Sequence, residues 1–417
     1  MTNVDTGPAS GGIRFLGNRR VYWRLLGRGA LLLMVTLGIY RFWLATDVRR
    51  YLWSNSEVAG EALEYTGTPL ELLLGFLVAV AILIPVYAGF FLAALDIGAL
   101  GQLSGVLAFL ALALLGQYAV YRARRYRLTR TIYRGLRFHQ SGSAIRYALR
   151  AMLWWIVSGL TLGLAYPFQI ASLERYKMRN TYYGDLAGSF QGTGLRLFLR
   201  GIPMWFAVVA PLAISIGAFI EVVDLHALGA ALNGNSDEIM SRIESGNPRL
   251  ADVLVFMMLM AAASVSFAAL LYPAFQALML RWWSSGLRFG DIEMHSSLRT
   301  AQVYGTYLRF LWYAIVFCIV MAILGFFGLL VVGAVAGDQS GTAGEIVATG
   351  SLLVGYVIFA LGFSTIYRAT VLLSLWQLGM ESLQLSGLTA LDRVKATGGP
   401  SSALGEGLAD ALNVGSY

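Results

Sequence analysis

Long apolar runs alternate with basic segments along this chain of 417 residues. Six runs are long enough to cross a bilayer as α-helices, each of which needs about 20 apolar residues. These runs are Leu70–Leu95, Leu100–Val120, Leu197–Ile220, Val253–Leu280, Phe310–Ala336 and Ile346–Leu375. Because they are continuous and do not alternate between apolar and polar positions, they predict helices and not the strands of a membrane barrel.

Two further apolar runs are harder to place. Gly29–Tyr40 would cover only about 18 Å as a helix, against a hydrocarbon core of about 30 Å. Ala151–Ile170 is longer, but glycines interrupt it and Pro167 lies near its end. Because arginines flank both runs on both sides, we expect two short helices that re-enter or lie along the cytoplasmic leaflet. The alternative is eight full spans whose terminal arginines reach back to the interface.

Loop charge sets the expected orientation. Segment 121–150 holds no acidic residue and nine arginines, which are Arg122, Arg124, Arg125, Arg127, Arg130, Arg134, Arg137, Arg146 and Arg150. Segment 221–252 instead holds six acidic residues and two arginines. Cytoplasmic loops of membrane proteins are rich in basic residues, so the first segment is expected inside and the second outside. With six spans in three hairpins, both termini are then cytoplasmic.

The composition agrees with a membrane protein. The chain is 57% hydrophobic and only 13% charged, whereas soluble domains carry about 25% charged residues. The formal net charge is +8, and its basic segments lie beside the spans. Anionic lipid headgroups are the ordinary partners of such segments, so we expect the lipid bilayer as a partner and no nucleic acid.

An internal match divides the chain. Thr36–Thr68 matches Thr161–Thr193 without a gap at a displacement of 125 residues, and both segments begin with Thr-Leu-Gly and end with Gly-Thr. A second match, Tyr133–Phe138 against Ser284–Phe289, ends in Gly-Leu-Arg-Phe at a displacement of 151. Equal loop charge indicates parallel repeats.

We therefore predict an all-α polytopic membrane protein with a parallel internal repeat. It has six clear membrane spans and two short helices at the Thr-Leu-Gly motifs, which we call the TLG helices. The predicted division is a cytoplasmic tail (1–20), repeat A (21–145), repeat B (146–305) with an acidic outer loop (221–252), a degenerate third hairpin (306–381) and a flexible cytoplasmic tail (382–417).

Ten residues that recur in the two matched segments are candidate ligand-binding residues. A helix broken at membrane depth can offer backbone groups to a ligand, and arginine binds phosphate through two parallel hydrogen bonds. The structural alternative is that the threonines and glycines end helices and the Arg-Tyr pairs anchor the chain at the interface. The candidates are Thr36, Gly38, Arg50, Tyr51, Asn55, Thr161, Gly163, Arg175, Tyr176 and Asn180.

Catalytic signatures are weak. The three histidines are expected in loops, Cys318 is the only cysteine, and no zinc-protease or nucleophile-elbow motif occurs. The firm spans hold almost no ionisable residue, which disfavours a proton relay or an ion-coupled pump. We expect no enzyme activity, no cofactor and no metal site.

The pattern resembles the YjgN family of bacterial inner-membrane proteins, which are built around a domain of unknown function. The resemblance rests on Thr36–Trp43, Arg50-Tyr51, Tyr65–Thr68, Tyr133–Phe138 and the second TLG segment with Arg175-Tyr176. It implies a multi-pass protein of the inner membrane and implies no activity.

Two functions remain open at this point. The first is a non-enzymatic protein that binds or transports a small solute or a lipid, which predicts a polar cavity between the TLG segments. The second is a membrane scaffold or envelope-organising protein that binds anionic lipid or protein partners, which predicts a packed interior. The sequence identifies no protein partner.

Overall fold

The structure is a computed structural model, and it describes residues 11–95, 99–222, 250–336, 342–399 and 401–414. Twelve α-helices lie in these ranges: α1 (Arg19–Val35), α2 (Arg41–Ser54), α3 (Pro69–Leu95), α4 (Ala99–Thr129), α5 (Ala144–Leu160), α6 (Tyr166–Arg179), α7 (Gly194–Val222), α8 (Leu250–Gly286), α9 (Thr300–Ala336), α10 (Thr342–Tyr367), α11 (Leu373–Glu381) and α12 (Leu404–Ala411). A π-helical segment, Arg368–Leu372, joins α10 to α11, and Leu388–Arg393 forms a 3-10 helix.

Six helices are long and apolar enough to cross a bilayer, by length and composition. They lie within Pro69–Ala93, Leu103–Thr129, Gly194–Glu221, Asp252–Gly286, Thr300–Ala334 and Gly344–Glu381. Each contains most of one predicted run, so the prediction of six apolar helices in a membrane-associated protein is confirmed. The acidic outer loop lies largely outside the described residues.

The all-α prediction is wrong, because the chain also forms an antiparallel sheet of eleven short strands. They are β1 (Gly11–Phe15), β2 (Ser56–Val58), β3 (Glu61–Ala62), β4 (Glu64–Tyr65), β5 (Thr131–Tyr133), β6 (Leu136–Gln140), β7 (Thr181–Tyr183), β8 (Leu186–Phe190), β9 (Leu287–Phe289), β10 (Ile292–Ser296) and β11 (Leu383–Ser386). Each strand has at most five residues and lies in a polar segment between long helices. A search for long apolar runs therefore does not detect them.

The sheet closes into a ring through the chain itself. Its strand order is β3-β2-β1-β11-β10-β9-β8-β7-β6-β5-β4. The two ends of this order, β3 and β4, are separated in sequence only by Leu63, whose N–H donates to the carbonyl of Ser56 at 3.0 Å. β1 pairs with β11, with Gly11 opposite Leu385. The ring therefore leaves almost no free strand edge.

Tight turns join neighbouring strands at one end of the ring, which we call the turn end. Ala59-Gly60 and Arg134-Gly135 have positive φ at both central residues, as a type I′ hairpin requires. Gly184 and Gly290 supply the positive φ in the other two turns. The helix pairs leave the ring at the opposite end, because antiparallel strands alternate in direction.

Side chains fill the interior of the ring. Phe138 on β6 and Phe289 on β9 have ring centroids 6.0 Å apart, although two strands separate β6 from β9. The hydroxyl of Tyr183 donates to the carbonyl of Tyr133 at 2.9 Å, and the hydroxyl of Tyr133 donates to the carbonyl of Val58 at 3.0 Å. The ring is therefore a packed core.

Helix and strand bounds recur along the chain. The series β1, α1, α2, β2 has the same bounds as β6, α5, α6, β7 when it is displaced by 125 residues. The Gly-Leu-Arg-Phe match does not follow this pattern. It places Leu136–Phe138 in the second strand of one hairpin and Leu287–Phe289 in the first strand of another, so the displacement of 151 pairs strands that are not equivalent.

The chain forms two compact units. The first comprises Met1–Gly194 and Leu280–Tyr417 and contains the whole ring. The second, Leu195–Met279, consists of most of α7 and α8. In the second unit, the hydroxyl of Ser264 donates to the carbonyl of Val208 at 2.6 Å, which ties α8 to α7.

The segment after β11 differs from the expected flexible tail. Residues 387–395, which we call the lid, run across the turn end of the ring. Leu388 lies against Gly11, Asp392 pairs with Arg134 at 3.6 Å, and the N–H of Asp185 donates to the carbonyl of Lys395 at 3.0 Å. The chain then forms α12, which packs between α3 and α4. Small residues permit this close packing, and the same small residues suggested a flexible tail.

Candidate functional site

The two TLG segments form corners between helices. Leu37 and Gly38 have φ values of +49° and +90°, and Leu162 and Gly163 have +49° and +86°. Such left-handed residues end one helix and redirect the chain into the next. The glycines permit this conformation at little cost, whereas the leucines adopt it under strain.

The threonines of the two corners make the same hydrogen bonds. The Thr36 hydroxyl donates to the carbonyl of Leu32 at 2.7 Å and accepts from the N–H of Tyr40 at 3.0 Å. Thr161 does the same with the carbonyl of Val157 and the N–H of Ala165, at 2.8 and 3.1 Å. Each hydroxyl therefore pairs with an N–H that the break in the helix leaves without a helical partner, and it adds a second hydrogen bond to a carbonyl that already accepts from the N–H of the threonine.

The arginines and tyrosines also contact backbone carbonyl groups. Arg50 donates to the carbonyl of Gly67 at 3.1 Å, and Arg175 donates to that of Gly192 at 3.5 Å. The hydroxyl of Tyr51 donates to the carbonyl of Asn18 at 2.7 Å. That of Tyr176 donates to the carbonyl of Ser143 at 2.8 Å. These carbonyls belong to the residues that precede α3, α7, α1 and α5, so the side chains hold helix starts in place.

The asparagines close α2 and α6. The side-chain N–H of Asn55 donates to the carbonyl of Tyr51 at 2.7 Å, and that of Asn180 donates to Tyr176 at the same distance. The backbone carbonyls of Asn55 and Asn180 accept from the backbone N–H groups of Leu16 and Ser141, both at 2.8 Å. All ten candidates thus bond to backbone groups nearby in the sequence, and in the described parts of the chain no hydrogen bond joins the two sets. These contacts agree with the structural alternative.

The exposed faces of α1 and α5 carry arginines near the helix starts and only apolar residues toward the corners, although Ile145 and Leu149 are exposed among the arginines of α5. Arg20, Arg24 and Arg28 lie four residues apart on α1 and are exposed, and Leu31 and Val35 continue the same face. On α5 the exposed Arg146 and Arg150 precede the exposed Leu153 and Ile156. The corner leucines are also exposed, Leu37 at 93% and Leu162 at 71%.

A buried ion-pair cluster joins α12 to α2 and α4. Arg49 of α2 is only 6% exposed and pairs with Glu406 of α12. It also donates to the hydroxyl of Tyr65 at 3.1 Å. The Nε of Arg127 lies 3.7 Å from Oε2 of the same glutamate. Four residues further along α12, Asp410 pairs with Arg41 at 2.9 Å.

The electrostatics of the cluster follow from burial. Burial opposes the charge on Arg49, but attraction to Glu406 and Tyr65 outweighs it and raises the pKa of the guanidinium. Burial also raises the pKa of Asp410, and the attraction of Arg41 opposes that shift. Sequence reading missed this cluster. A signal was present in Leu404, Leu408 and Leu412, whose spacing of four predicts an apolar helix face with Glu406 and Asp410 beside it.

Glycines set the close fit of α12. A Cβ at Gly407 would overlap the backbone of Gly75 on α3, and one at Gly405 would overlap Arg122 on α4. Leu408 and Ala409 pack on Ala79 and Ala119 in one apolar cluster. The helix therefore fits its groove through backbone contact as well as through charge.

A cleft of about 600 Å³ lies between the lid and the ring. Its walls include backbone at Gly11, Gly12 and Gly60 and the side chains of Arg14 and Thr389. Arg134, which also lines it, pairs with Glu61 at 3.1 Å. The cleft is at the turn end of the ring and is not at the TLG corners. Among the described residues, no group of three or more His, Cys, Asp or Glu side chains is placed to hold a metal ion.

Comparison with protein families identifies the family to which this chain belongs. The model of a family described as "Bacterial protein of unknown function (DUF898)" matches residues 11–411. The chain belongs to the DUF898 family. This family includes YjgN, so the resemblance seen in the sequence is confirmed. Searches of curated proteins and of solved structures found no match.

Proposed function

We propose that this DUF898 protein is a non-enzymatic, multi-pass protein of the bacterial inner membrane that binds anionic lipid at its cytoplasmic face. The observation that carries the proposal is the change from arginine to aliphatic side chains along the exposed faces of α1 and α5. A helix with this polarity places its arginines among headgroups and its corner among acyl chains.

The ring supports a re-entrant geometry for both helix pairs. α1 and α2 lie between the neighbouring strands β1 and β2, and α5 and α6 lie between the neighbouring strands β6 and β7. Each pair therefore leaves the ring and returns to it. A single span would end on the opposite side of the bilayer.

Charge supports a cytoplasmic ring. Arginines concentrate at the helix ends that adjoin the ring, and acidic residues such as Glu221 and Asp252 lie at the far ends of α7 and α8. Because β1 pairs with β11, the first and the last strand of the described chain lie together in the ring. With a cytoplasmic ring, the positive-inside rule favours cytoplasmic termini.

We also infer that the two helix pairs arose by internal duplication. The equal element bounds and the equal hydrogen bonds of the threonine, arginine, tyrosine and asparagine pairs support this. The repeated residues are then a structural framework. Any ligand is bound by residues outside it, such as the exposed arginines of α1 and α5.

The orientation is tested by labelling single cysteines in intact cells, in a Cys318→Ser background. We expect an impermeant thiol reagent to label a cysteine at Asn235 and to label one at Asp185 only after permeabilisation. Cysteines at Leu37 and Leu162 should carry labels that spin-labelled lipids quench. Labelling of Leu37 from outside the cell would overturn the re-entrant geometry.

Lipid binding is tested by native mass spectrometry of the purified protein. Replacing Arg20, Arg24 and Arg28 together by glutamine should remove most of the retained phosphatidylglycerol. Arg393→Gln is the matched control, because Arg393 is an exposed arginine in the lid at the turn end. Equal loss in both variants would contradict a specific role for α1.

The cleft between the lid and the ring favours a second candidate, the binding of a small anionic solute. Arg14 and three glycine backbones line it, although Glu57 and Asp392 add negative charge. Titration calorimetry with inorganic phosphate and the Arg14→Gln variant tests this role. Absence of binding by the unmodified protein would exclude it.

A further inference from the structure

The negative charge in the cluster around Arg49 comes from a distant part of the sequence. Arg49 is buried on α2, and its carboxylate partner comes from a helix at the other end of the chain. The connection to that helix includes Thr397-Gly398-Gly399 and Ser401-Ser402, a composition typical of flexible linkers. A buried arginine without a counter-ion is strongly unfavourable, so a groove vacated by α12 would favour another anion in the place of Glu406.

The surface under α12 has two chemical zones. Three arginines, Arg41, Arg49 and Arg127, line one part of it. Below them α3 and α4 provide an apolar wall that includes Ala79 and Ala119. We call this surface, defined by these five residues, the arginine groove. It offers cations to an anionic group and an apolar surface to an acyl chain.

We propose that the arginine groove is a binding site for an anionic lipid and that α12 is a displaceable plug that occupies it. Glu406 and Asp410 take the places of headgroup anions, and Leu408 takes the place of part of an acyl chain. The two-zone charge and apolar pattern of the groove matches an amphiphile better than it matches a free anion, which would leave the apolar wall uncovered. This site is separate from the exposed arginines of α1 and α5, so either proposal can fail without the other.

The glycines of α12 provide variants that remove the plug without changing the groove. Gly407→Val and Gly405→Val each place atoms where backbone of α3 or α4 already lies, so each should expel α12. Gly399→Val is the matched control, because a side chain at Gly399 meets no atom within 4 Å. A cysteine at Ala411, in a Cys318→Ser background, reports undocking through faster labelling by a thiol reagent.

The test measures binding of dansyl-labelled phosphatidylglycerol to the purified full-length protein in detergent. We expect both expelling variants to bind it on the order of tenfold more tightly than the unmodified protein and the Gly399→Val control. Adding Arg49→Gln to Gly407→Val should abolish the gain, and adding Arg134→Gln should leave it intact. Dansyl-phosphatidylcholine should show no gain.

Five results would overturn the proposal. One is no increase in phosphatidylglycerol binding in either expelling variant, and another is an equal gain with phosphatidylcholine. A third is a gain that survives Arg49→Gln. The fourth is unchanged labelling at residue 411 in both variants, which would show that α12 is a fixed part of the fold. If inorganic phosphate at the same concentration displaces all of the bound lipid, the apolar wall contributes nothing and the lipid assignment fails.

Discussion

Arg49 and Glu406 lie 357 positions apart in the sequence and form a buried ion pair. The pair joins α2, in the first helix pair, to the last helix of the described chain. Its stability effect should be asymmetric, because removing one partner leaves the other charge buried.

We predict that Glu406→Gln lowers the free energy of unfolding by about 3–5 kcal/mol. The double variant Arg49→Met/Glu406→Met should recover most of that loss, since neither charge then remains buried. Unfolding in detergent, followed by circular dichroism, measures both. Arg134→Gln is the control: its pair with Glu61 is partly exposed and should contribute at most about 1 kcal/mol. A double variant no more stable than Glu406→Gln would contradict this account.

The TLG corners give a second prediction. Gly38→Ala should lower the free energy of unfolding by about 1 kcal/mol, because the φ of +90° disfavours any residue with a Cβ. A Cβ there would meet no atom within 4 Å, so the cost comes from the backbone alone. Gly159→Ala is the matched control inside α5, with equally open space, and should be neutral or slightly stabilising. Thermal unfolding of the two variants measures both changes in stability.

Substitution of the tyrosines in the two Arg-Tyr pairs distinguishes a structural role from a role in ligand binding. Tyr51→Phe removes one hydrogen bond to a helix start and should cost about 1 kcal/mol of stability. Tyr176→Phe removes two, because the Tyr176 hydroxyl both donates to the carbonyl and accepts from the N–H of Ser143, and should cost about 2 kcal/mol. Because their role is structural, neither change should alter phosphatidylglycerol binding in native mass spectrometry. Loss of lipid without loss of stability would restore these residues as ligand-binding candidates.

His139 should make the ring sensitive to acid. Burial lowers the pKa of its imidazole, so the folded state favours the neutral ring. Stability is therefore complete above the ordinary value of about 6.5 and falls as the pH drops below it. The melting temperature should drop between pH 7.5 and 5.5, and the drop should be smaller in His139→Gln. His295→Gln, also on a ring strand, is the control and should keep the full drop.

The sequence predicted the six apolar helices because each depends on a local property, a run of about 20 apolar residues. It did not predict the ring, whose strands are short and whose pairing joins residues as distant as Gly11 and Leu385. Local turn signals were present in Ala59-Gly60 and Arg134-Gly135, each between residues that favour strands. Strand order and closure depend on contacts that no local pattern encodes.

The candidate site shows a similar division. The matched segments contain residues with equivalent hydrogen bonds, such as Tyr51 and Tyr176, but a sequence match cannot distinguish a residue that holds a helix start from one that binds a ligand. The arginine groove was missed because its residues come from three helices, α2, α3 and α4. Arg49 is adjacent to the candidate Arg50 in the sequence, and only the fold shows that Arg49 is the buried one.

The pairing of β1 with β11 determines when the ring can close during biosynthesis. β1 leaves the ribosome near the start of translation, and its partner is made almost 370 residues later. At about 5–20 residues per second, the first strand waits roughly 20–75 s for that partner. All intervening helices are made, and can enter the bilayer, before the ring closes. Closure of the ring is thus a late step that requires synthesis of the chain through β11.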